Sequence, residues 1–411
     1  MGKVLGIIAE YNPFHNGHLH HLQVSKNMTE AEHTIAIISG NFTQRGDTSI
    51  IDKWSKAQIA IENGVDLVIE LPTLYSVSSA ENFADGAVKI LNSLGIVDFI
   101  SFGSECNDIE ILNDIANILH YEPKEYKKIL SEELKTGISY PSARQNALQR
   151  YLENDAKYFN VLKEPNNILG IEYLKALKKN KSSIIPITIQ REAVDYSSKF
   201  VRNNIASSTA IRDIIQNNRL ELYKKVMPVS SYNTVQDKIR DKQIITNLSV
   251  FEKEIIYSIR KMSIEEIKNI PDVSEGLENA LKNAANSSNT LSDFINIVQT
   301  KRYTRTRIQR ILVYILLGIT KQDMEMSKKT LPYVRILGFN NNGKKMLSQI
   351  CINNPDLAVI TSVKKFVDEN KNKNLKSMLE KDILATDVFT LGYTGESWAN
   401  LDFTHNLVLK K

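Results

Sequence analysis

The sequence predicts an α/β fold: a doubly wound parallel sheet, followed by a mainly helical region and a small α/β tail module. Three observations predict it. Short, wholly apolar runs recur through the first half, each followed by a segment of helix length. Strands that are apolar throughout, rather than alternating, are those buried on both faces by crossover helices. After about Asn217 the pattern turns helical, with Lys and Glu interleaved, and from Leu331 short apolar runs return. The expected boundaries are 1–217, 218–330 and 331–411, in keeping with a length that supports two or three domains.

Taken in order, residues 4–9 form the first strand and a helix opens at Gly17. Residues 34–39 form the second strand, with a helix over 53–62. Residues 66–70 (DLVIE) form the third, with a helix over 80–94, and residues 98–102 (DFISF) the fourth. Residues 108–177 read as a helical insertion before a fifth strand at 184–189. A doubly wound sheet binds ligands at the carboxyl ends of its strands. In the tail, strands are expected at 333–338, 357–361 and 382–386, around two helices.

Hydrophobic residues make up 42% of the 411 and charged residues 24%, so each domain can bury a core. The net charge of +5 permits a polyanionic partner without demanding one. The two cysteines, Cys106 and Cys351, are far apart and form neither a disulfide framework nor a CxxC pair, which fits a reducing cytoplasm. The N-terminal apolar run is too short for a signal peptide, and the residue after Gly2 that myristoylation would need as Ser or Thr is Gly6. The apolar run 311–318 is far too short to span a bilayer, so no membrane partner is expected.

The first strand runs into Ala9-Glu10-Tyr11-Asn12-Pro13-Phe14-His15-Asn16-Gly17-His18. Pro13 ends the extended segment. Gly17 stands where the helix starts, and its missing side chain lets a phosphate approach the backbone. His15 and His18 bracket that point. Two imidazoles beside a helix N-terminus can donate to phosphate oxygens and favour the charge that builds on an α-phosphate during adenylyl transfer. Such chemistry needs positioning and charge stabilisation, not a protein nucleophile. A four-residue HxxH is weak by itself; its place after the first buried strand is what raises it. His20 and His21 follow closely, but no Cys or carboxylate pattern completes a zinc site. They read as helix residues, of which one can face a nucleotide.

Residues 301–310, KRYTRTRIQR, hold five basic side chains and no acidic ones: Lys301, Arg302, Arg305, Arg307 and Arg310. Ile308, Ile311, Leu312 and Ile315 give the helix an apolar stripe and leave the basic face outward. Phosphate backbones attract such a face, and Tyr303 can stack on a base. A merely solvated face is the alternative, although uncompensated like charges repel one another.

Far downstream lies Ile205-Ala206-Ser207-Ser208-Thr209-Ala210-Ile211-Arg212. Alone it is a helix start with Ser and Thr as N-cap residues. Paired with HxGH it closely resembles the ISSTxIR signature of the nucleotidyltransferase superfamily, with Ala206 replacing a packing Ile. The segments AEYNPFHNGHLHHL, SGNFTQRGD, IIDKWSKAQIA, DLVIELP, SFGSE, PNNILGIEYLKAL and KRYTRTRIQR, in that order, resemble the bacterial tRNA(Met) cytidine acetate ligase family over nearly the whole chain.

That resemblance implies a HUP-type nucleotidyltransferase domain that adenylates acetate with ATP, Mg²⁺ accompanying the nucleotide. The acetyl group then passes to N4 of the wobble cytidine of elongator tRNA(Met), forming N4-acetylcytidine in the cytoplasm. Its implied catalytic residues are His15, His18, Ser208, Thr209 and Arg212, with Arg212 on the leaving pyrophosphate. The implied ATP-binding residues are Ile7, Ile8, Ala9, Glu10, Tyr11, Asn12, Pro13, Phe14, His15, Asn16, Gly17, His18, Leu19 and His20, together with Gly103, Asn166 and Arg191. No metal site of the protein's own is expected. For Asn166, with Asn167, an N-cap role stays open; for Arg191, a solvated strand end. The loop from Gly40 to Asp47 is expected to place acetate or cytidine, or to be an ordinary loop, and Lys53 and Lys56 are expected on a solvated helix face. A metabolic adenylyltransferase shares both motifs but needs only about the first 215 residues. A non-catalytic RNA-binding scaffold is countered by the intact motif residues.

Overall fold

The computed structural model describes residues 2–158, 161–191, 206–217, 224–274 and 276–410. Ile205 and the expected boundary after Asn217 fall on or beside residues outside this set. The five N-terminal strands are β1 (Val4–Ala9), β2 (His33–Ser39), β3 (Leu67–Leu71), β4 (Phe99–Ser104) and β5 (Ile185–Gln190). They pair in parallel in the order β5-β4-β1-β2-β3. The order reverses at β1, whose neighbours are β2 and β4, so the crevice opens between the carboxyl ends of β1 and β4.

Helices α1 (Asn16–Thr29), α2 (Lys53–Glu62), α3 (Thr73–Ser76) and α4 (Ala80–Ser93) connect the first four strands. Asp52 and Ser79 cap α2 and α4 by accepting backbone N–H bonds. The insertion before β5 is helical: α5 (Ile109–Tyr121), α6 (Lys124–Lys135), α7 (Tyr140–Tyr151) and α8 (Pro165–Lys179). The strands alternate between two cores. Val4, Ile8, Ile35, Ile37, Leu67 and Ile69 enter one apolar cluster, and Leu5, Ile7, Ala36, Ile38 and Val68 enter the other. Period-two alternation therefore exists, yet both sets are buried, as wholly apolar strands require.

The helical region includes 229–240, 252–261, 264–268, 277–287, 291–298, 305–316 and 321–329. The tail then returns to the sheet. Its first strand, β6 (Val334–Asn340), lies antiparallel to β3, with Leu67 opposite Phe339 and Glu70 opposite Arg335. β6 also pairs in parallel with β7 (Val359–Ile360) and β8 (Val408–Lys410). Residues 382–386, expected as a strand, are helical, within Lys373–Leu391. The reason is periodicity: Leu375, Met378, Leu379, Asp382, Ala385, Thr386 and Phe389 are buried at spacings of three and four, which a five-residue window cannot reveal.

The junction between tail and sheet is ionic and buried. Lys53 Nζ lies 3.0 Å from Glu70 Oε1 and 2.7 Å from Asp402 Oδ1. Arg335 lies 3.1 Å from Glu70 Oε2 and also pairs with Asp402. Asp382 accepts the Tyr333 hydroxyl and, at 2.7 Å, the backbone N–H of Thr73 at the start of α3. Removing one member of such a cluster strands the others' charges without water. Arg335→Met, which keeps much of the volume, is therefore expected to destabilise the protein by roughly 3–5 kcal/mol. The denaturant midpoint checks it; a midpoint equal to wild type would show that the cluster does not anchor the tail.

Candidate active site

The first strand delivers its chain to the crevice through a tightly held leader. The Asn12 side chain donates to the Thr48 carbonyl (3.1 Å) and accepts from the Ile50 N–H (2.7 Å). Its own carbonyl accepts from Arg212 (2.9 Å). His15 then caps α1. Its Nδ1 accepts from the Gly17 N–H (3.1 Å), while Nδ1 of His18 accepts from the His15 N–H (3.3 Å). Two imidazoles thus form a reciprocal capping box, a task usually given to Ser and Glu. Their rings stack with centroids 3.8 Å apart.

These bonds decide the tautomers. A backbone N–H can only donate, so Nδ1 of each ring carries no proton and Nε2 carries it. The His15 Nε2–H therefore donates to the Ser208 hydroxyl, 3.1 Å away across 193 residues. Burial, joined by the charges of Arg191 and Arg212, pushes the His15 imidazolium down to about 3. Burial likewise holds His18 well below the ordinary range, helped by His15, Arg191 and His21. Tyr11 and Phe14 pack on the His18 ring, at 5.0 and 5.6 Å between centroids. Of the following pair, His20 is exposed and His21 turns inward. Its Nε2 lies 3.0 Å from Ser101 Oγ, and burial pushes it down to about 4.

The downstream motif opens the second element of the site, α9 (Ser208–Gln216). Ser207, not Ser208, is its N-cap, accepting from the Ala210 N–H at 3.1 Å. That leaves the Ser208 hydroxyl for His15. Arg212 donates to Thr209 Oγ1 (3.3 Å) as well as to Asn12, so its guanidinium ties α9 to the leader. Ile211, Ile214 and Ile215 bury the opposite face of α9, and Ala206 is itself buried, as a packing position should be.

Gly103, Asn166 and Arg191 meet at the ends of β4 and β5. Arg191 donates to Asn166 Oδ1 at 2.6 Å, and Asn166 donates to Glu105. The Glu105 carboxylate also accepts the Asn167 N–H (2.9 Å), so it caps the first turn of α8 and neither asparagine does. Asn167 is buried and accepts from the N–H groups of Glu105 and Cys106, which separates it from Asn166. A methyl added at Gly103 would lie 3.7 Å from Arg191 Cβ, an ordinary contact. The chain itself does not require glycine there.

The side chains of Ile7 and Ile8 are buried in opposite cores, so β1 can offer a ligand only its backbone. Leu19 packs against the core and Asn16 donates to the Lys225 carbonyl (3.0 Å). Lys53 and Lys56 are not solvated: both are fully buried. The local sequence marks α2 as a helix but hides that the tail covers it, so their polar partners come from Glu70, Asp402 and strand ends distant in sequence. Burial pushes the Lys56 ammonium down to about 7, against the upward pull of Glu10, Glu70 and Asp52.

The basic segment also needs revision. Its helix begins at Arg305, so Lys301 and Arg302 lie in the turn before it. Arg307 donates to the Asp272 carbonyl at 2.7 and 3.0 Å, and Arg310 pairs with the Asp272 carboxylate at 3.2 Å. The Arg310 charge is thus compensated, and the Arg307 guanidinium engaged by a backbone carbonyl, at a residue 35 or more positions away, which charge spacing cannot show. Lys301, Arg302 and Arg305 are exposed. Among the described residues no cluster of three or more His, Cys, Asp or Glu side chains could hold a metal ion.

A family model, HIGH Nucleotidyl Transferase, matches residues 2–401. The chain is 46% identical over 405 residues to a tRNA(Met) cytidine acetate ligase of Thermoanaerobacter sp. (strain X514), covering 98% of this chain and 99% of that one. It is 43% identical over 415 residues to a tRNA(Met) cytidine acetate ligase of Acetivibrio thermocellus, covering 99% and 100%. Among solved structures it is similar to Thermotoga maritima TmcAL. The apo form matches with a TM-score of 0.95 at 34% identity, and the form bound with alpha-thio ATP with 0.92 at 33%, each covering 99% of both chains.

The imidazole pair has a pH consequence. Below about 6.5 an unfolded histidine takes up a proton that folded His15 refuses until about 3. Stability held at neutral pH is therefore lost progressively as the pH falls through that window. In the nucleotide-free protein, ¹⁵N shifts of the His15 ring are expected to report the neutral Nε2–H form down to about pH 5. A ring that titrates at the ordinary value would contradict the assignment.

Proposed function

Because the chain belongs to the tRNA(Met) cytidine acetate ligases, within the HIGH nucleotidyl transferases, we propose how its residues divide the work of an ATP-dependent ligation. An acetate oxygen attacks the α-phosphorus of ATP, the bond to the β-phosphate breaks, and acetyl-adenylate and pyrophosphate result. The N4 amine of the wobble cytidine of elongator tRNA(Met) then attacks the acetyl carbon. The carbon–oxygen bond to AMP breaks and the amine loses a proton.

The observation that carries this reading is the contact of His15 Nε2 with Ser208, which joins both phosphate-handling motifs at the point where the strand order reverses. His15 and His18, as neutral donors at the α1 N-terminus, receive the α-phosphate oxygens. Ser208, Thr209 and the α9 N-terminus hold the β- and γ-phosphates, and Arg212 takes the departing pyrophosphate. Mg²⁺ arrives with the nucleotide. Gly103, Asn166 and Arg191 border the nucleoside, with the backbone of Ile7 to His20 beneath it. Residues 1–217 supply this chemistry, 218–330 the tRNA platform, and 331–411 the strands that complete the sheet. Among the described residues no helix is long and apolar enough to cross a membrane, and we place the reaction in the cytoplasm. Incubation with ATP, Mg²⁺ and labelled acetate, with and without tRNA, followed by nucleoside analysis, tests the whole scheme. Label absent from cytidine would overturn it.

His18→Ala is expected to lower acetyl-adenylate formation roughly 10²–10³-fold, the usual effect of removing one donor to developing charge. Near-normal rates would remove His18 from the site. Arg212→Lys keeps the charge but loses the planar fork. It is expected to impair the adenylation step while leaving tRNA affinity unchanged, and a purely RNA-binding defect would refute the pyrophosphate role.

For the platform, the exposed Lys301 and Arg305 are the discriminating pair, because Arg307 and Arg310 also brace Asp272. The double variant Lys301→Gln, Arg305→Gln should spare adenylate formation and weaken tRNA binding. Each lost phosphate contact lowers the log–log salt slope by about one unit. A wild-type slope in filter binding would move the RNA surface elsewhere.

A further inference from the structure

Lys56 is a buried charged group near the crevice that the reaction scheme leaves without a task. Its ammonium has three N–H donors and lies 2.7 Å from the Ser39 carbonyl, 2.7 Å from the Gly40 carbonyl, 3.1 Å from the Glu10 carbonyl and 2.9 Å from Ser49 Oγ. Ser49 in turn donates to the Gly40 carbonyl at 3.1 Å. Three carbonyl dipoles thus converge on one point from the carboxyl ends of two strands, a convergence that an ammonium satisfies best. With every donor engaged by the protein, Lys56 has none left for a substrate.

What it holds together borders the crevice. Glu10 belongs to the leader that opens into the HxGH turn, and Gly40 begins the loop after β2. A second tie runs parallel to the first: the Glu10 carboxylate accepts the Gln44 N–H at 2.8 Å. A third is Asn12, bonded to Thr48 and Ile50 at the far end of that loop. The leader and the loop are therefore tied together at three places beside the carboxyl ends of β1 and β2. The phosphate side shares this dependence less, because His15, His18 and Ser208 are held by the α1 capping box and α9, although Arg212 also leans on the leader through the Asn12 carbonyl.

We propose that Lys56 is a positioning residue that fixes the spacing of leader and loop beside the crevice, and so selects a two-carbon carboxylic acid as the acceptor of the adenylyl group. This rests on the acetate-adenylating reading above. Lys56 acts through the Glu10, Ser39 and Gly40 carbonyls and does not touch the acid. Without it the carbonyls repel, the loop relaxes away from the leader, and longer acids gain room.

The test is ATP–pyrophosphate exchange supported by acetate or by propionate, measured at a temperature where circular dichroism shows each variant folded. Lys56→Met keeps the length of the side chain and removes the charge. It is expected to raise the acetate KM by about tenfold, the size of effect typical of a lost charge-assisted hydrogen bond, and to narrow the preference for acetate over propionate. The ATP KM should change much less than the acetate KM, since the contacts of His15, His18 and Ser208 are left in place. Ser49→Ala, a milder change to the same cage, should move acid preference in the same direction, and it serves if Lys56→Met does not fold. Unchanged acid preference in the folded variants, or a loss shared equally between the ATP and acetate parameters, would overturn the positioning role. Absence of acetate-dependent exchange in the wild-type protein would instead overturn the reading on which it rests.

Discussion

Everything in the catalytic half turns on one constraint at the N-terminus of α1. The first backbone N–H groups of a helix lack intrahelical partners, and in the proposed site they serve a phosphate as well as the fold. A capping carboxylate would satisfy them but would repel a phosphate. The chain resolves the conflict by capping with imidazoles. His15 takes the Gly17 N–H through Nδ1, and His18 takes the His15 N–H in the same way. Each ring thereby keeps its Nε2–H as an outward donor. Burial and the nearby arginines keep both rings neutral, so the pair adds donors without depending on the pH of its surroundings.

A second constraint ties the ends of the chain together. The tail contributes β6 to the sheet edge beside β3, and the buried charges of Lys53, Glu70, Arg335 and Asp402 join across that edge. Ion pairs of this kind are weak sources of net stability but strict about geometry, because any misplacement leaves a charge without water. The helical region between them is correspondingly placed. Gly46, in the loop after β2, has φ +74°, and a Cβ there would lie 2.3 Å from the Arg310 nitrogen and 2.4 Å from the Gln309 carbonyl carbon. The loop after β2 therefore lies directly against the backbone of the basic helix, which puts the proposed RNA platform and the proposed acceptor loop in mechanical contact.

Much of this was legible in the sequence because it is local. Apolar runs marked β1 to β5 to within a residue or two, and the HxGH turn could be placed on the first strand–helix junction. The parts that were hidden depend on partners distant in sequence. Asp272 pairs with Arg310 and holds Arg307 through its carbonyl, Glu105 caps α8 from the end of β4, and Asp402 makes Lys53 a core residue. A lysine in a helix reads as solvated until the element that covers it is known. The 382–386 segment failed for the opposite reason: its apolar residues were visible, but the window was shorter than the helical repeat that organises them.

The two walls of the crevice are built on different physical terms, and the difference matches the two demands of the proposed reaction. The phosphate wall presents neutral donors, helix N-termini and Arg212, which stabilise charge that appears and moves during adenylyl transfer. The acceptor side is held by the fully engaged Lys56 side chain and by the Glu10–Gln44 and Asn12 ties, which supply shape rather than charge. A reaction that transfers first a phosphoryl centre and then an acyl centre through one crevice needs both. The electrostatics must be available to a changing substrate, and the steric frame must not change with it. Placing the charge that sets the frame behind the backbone, where substrate cannot reach it, separates the two requirements.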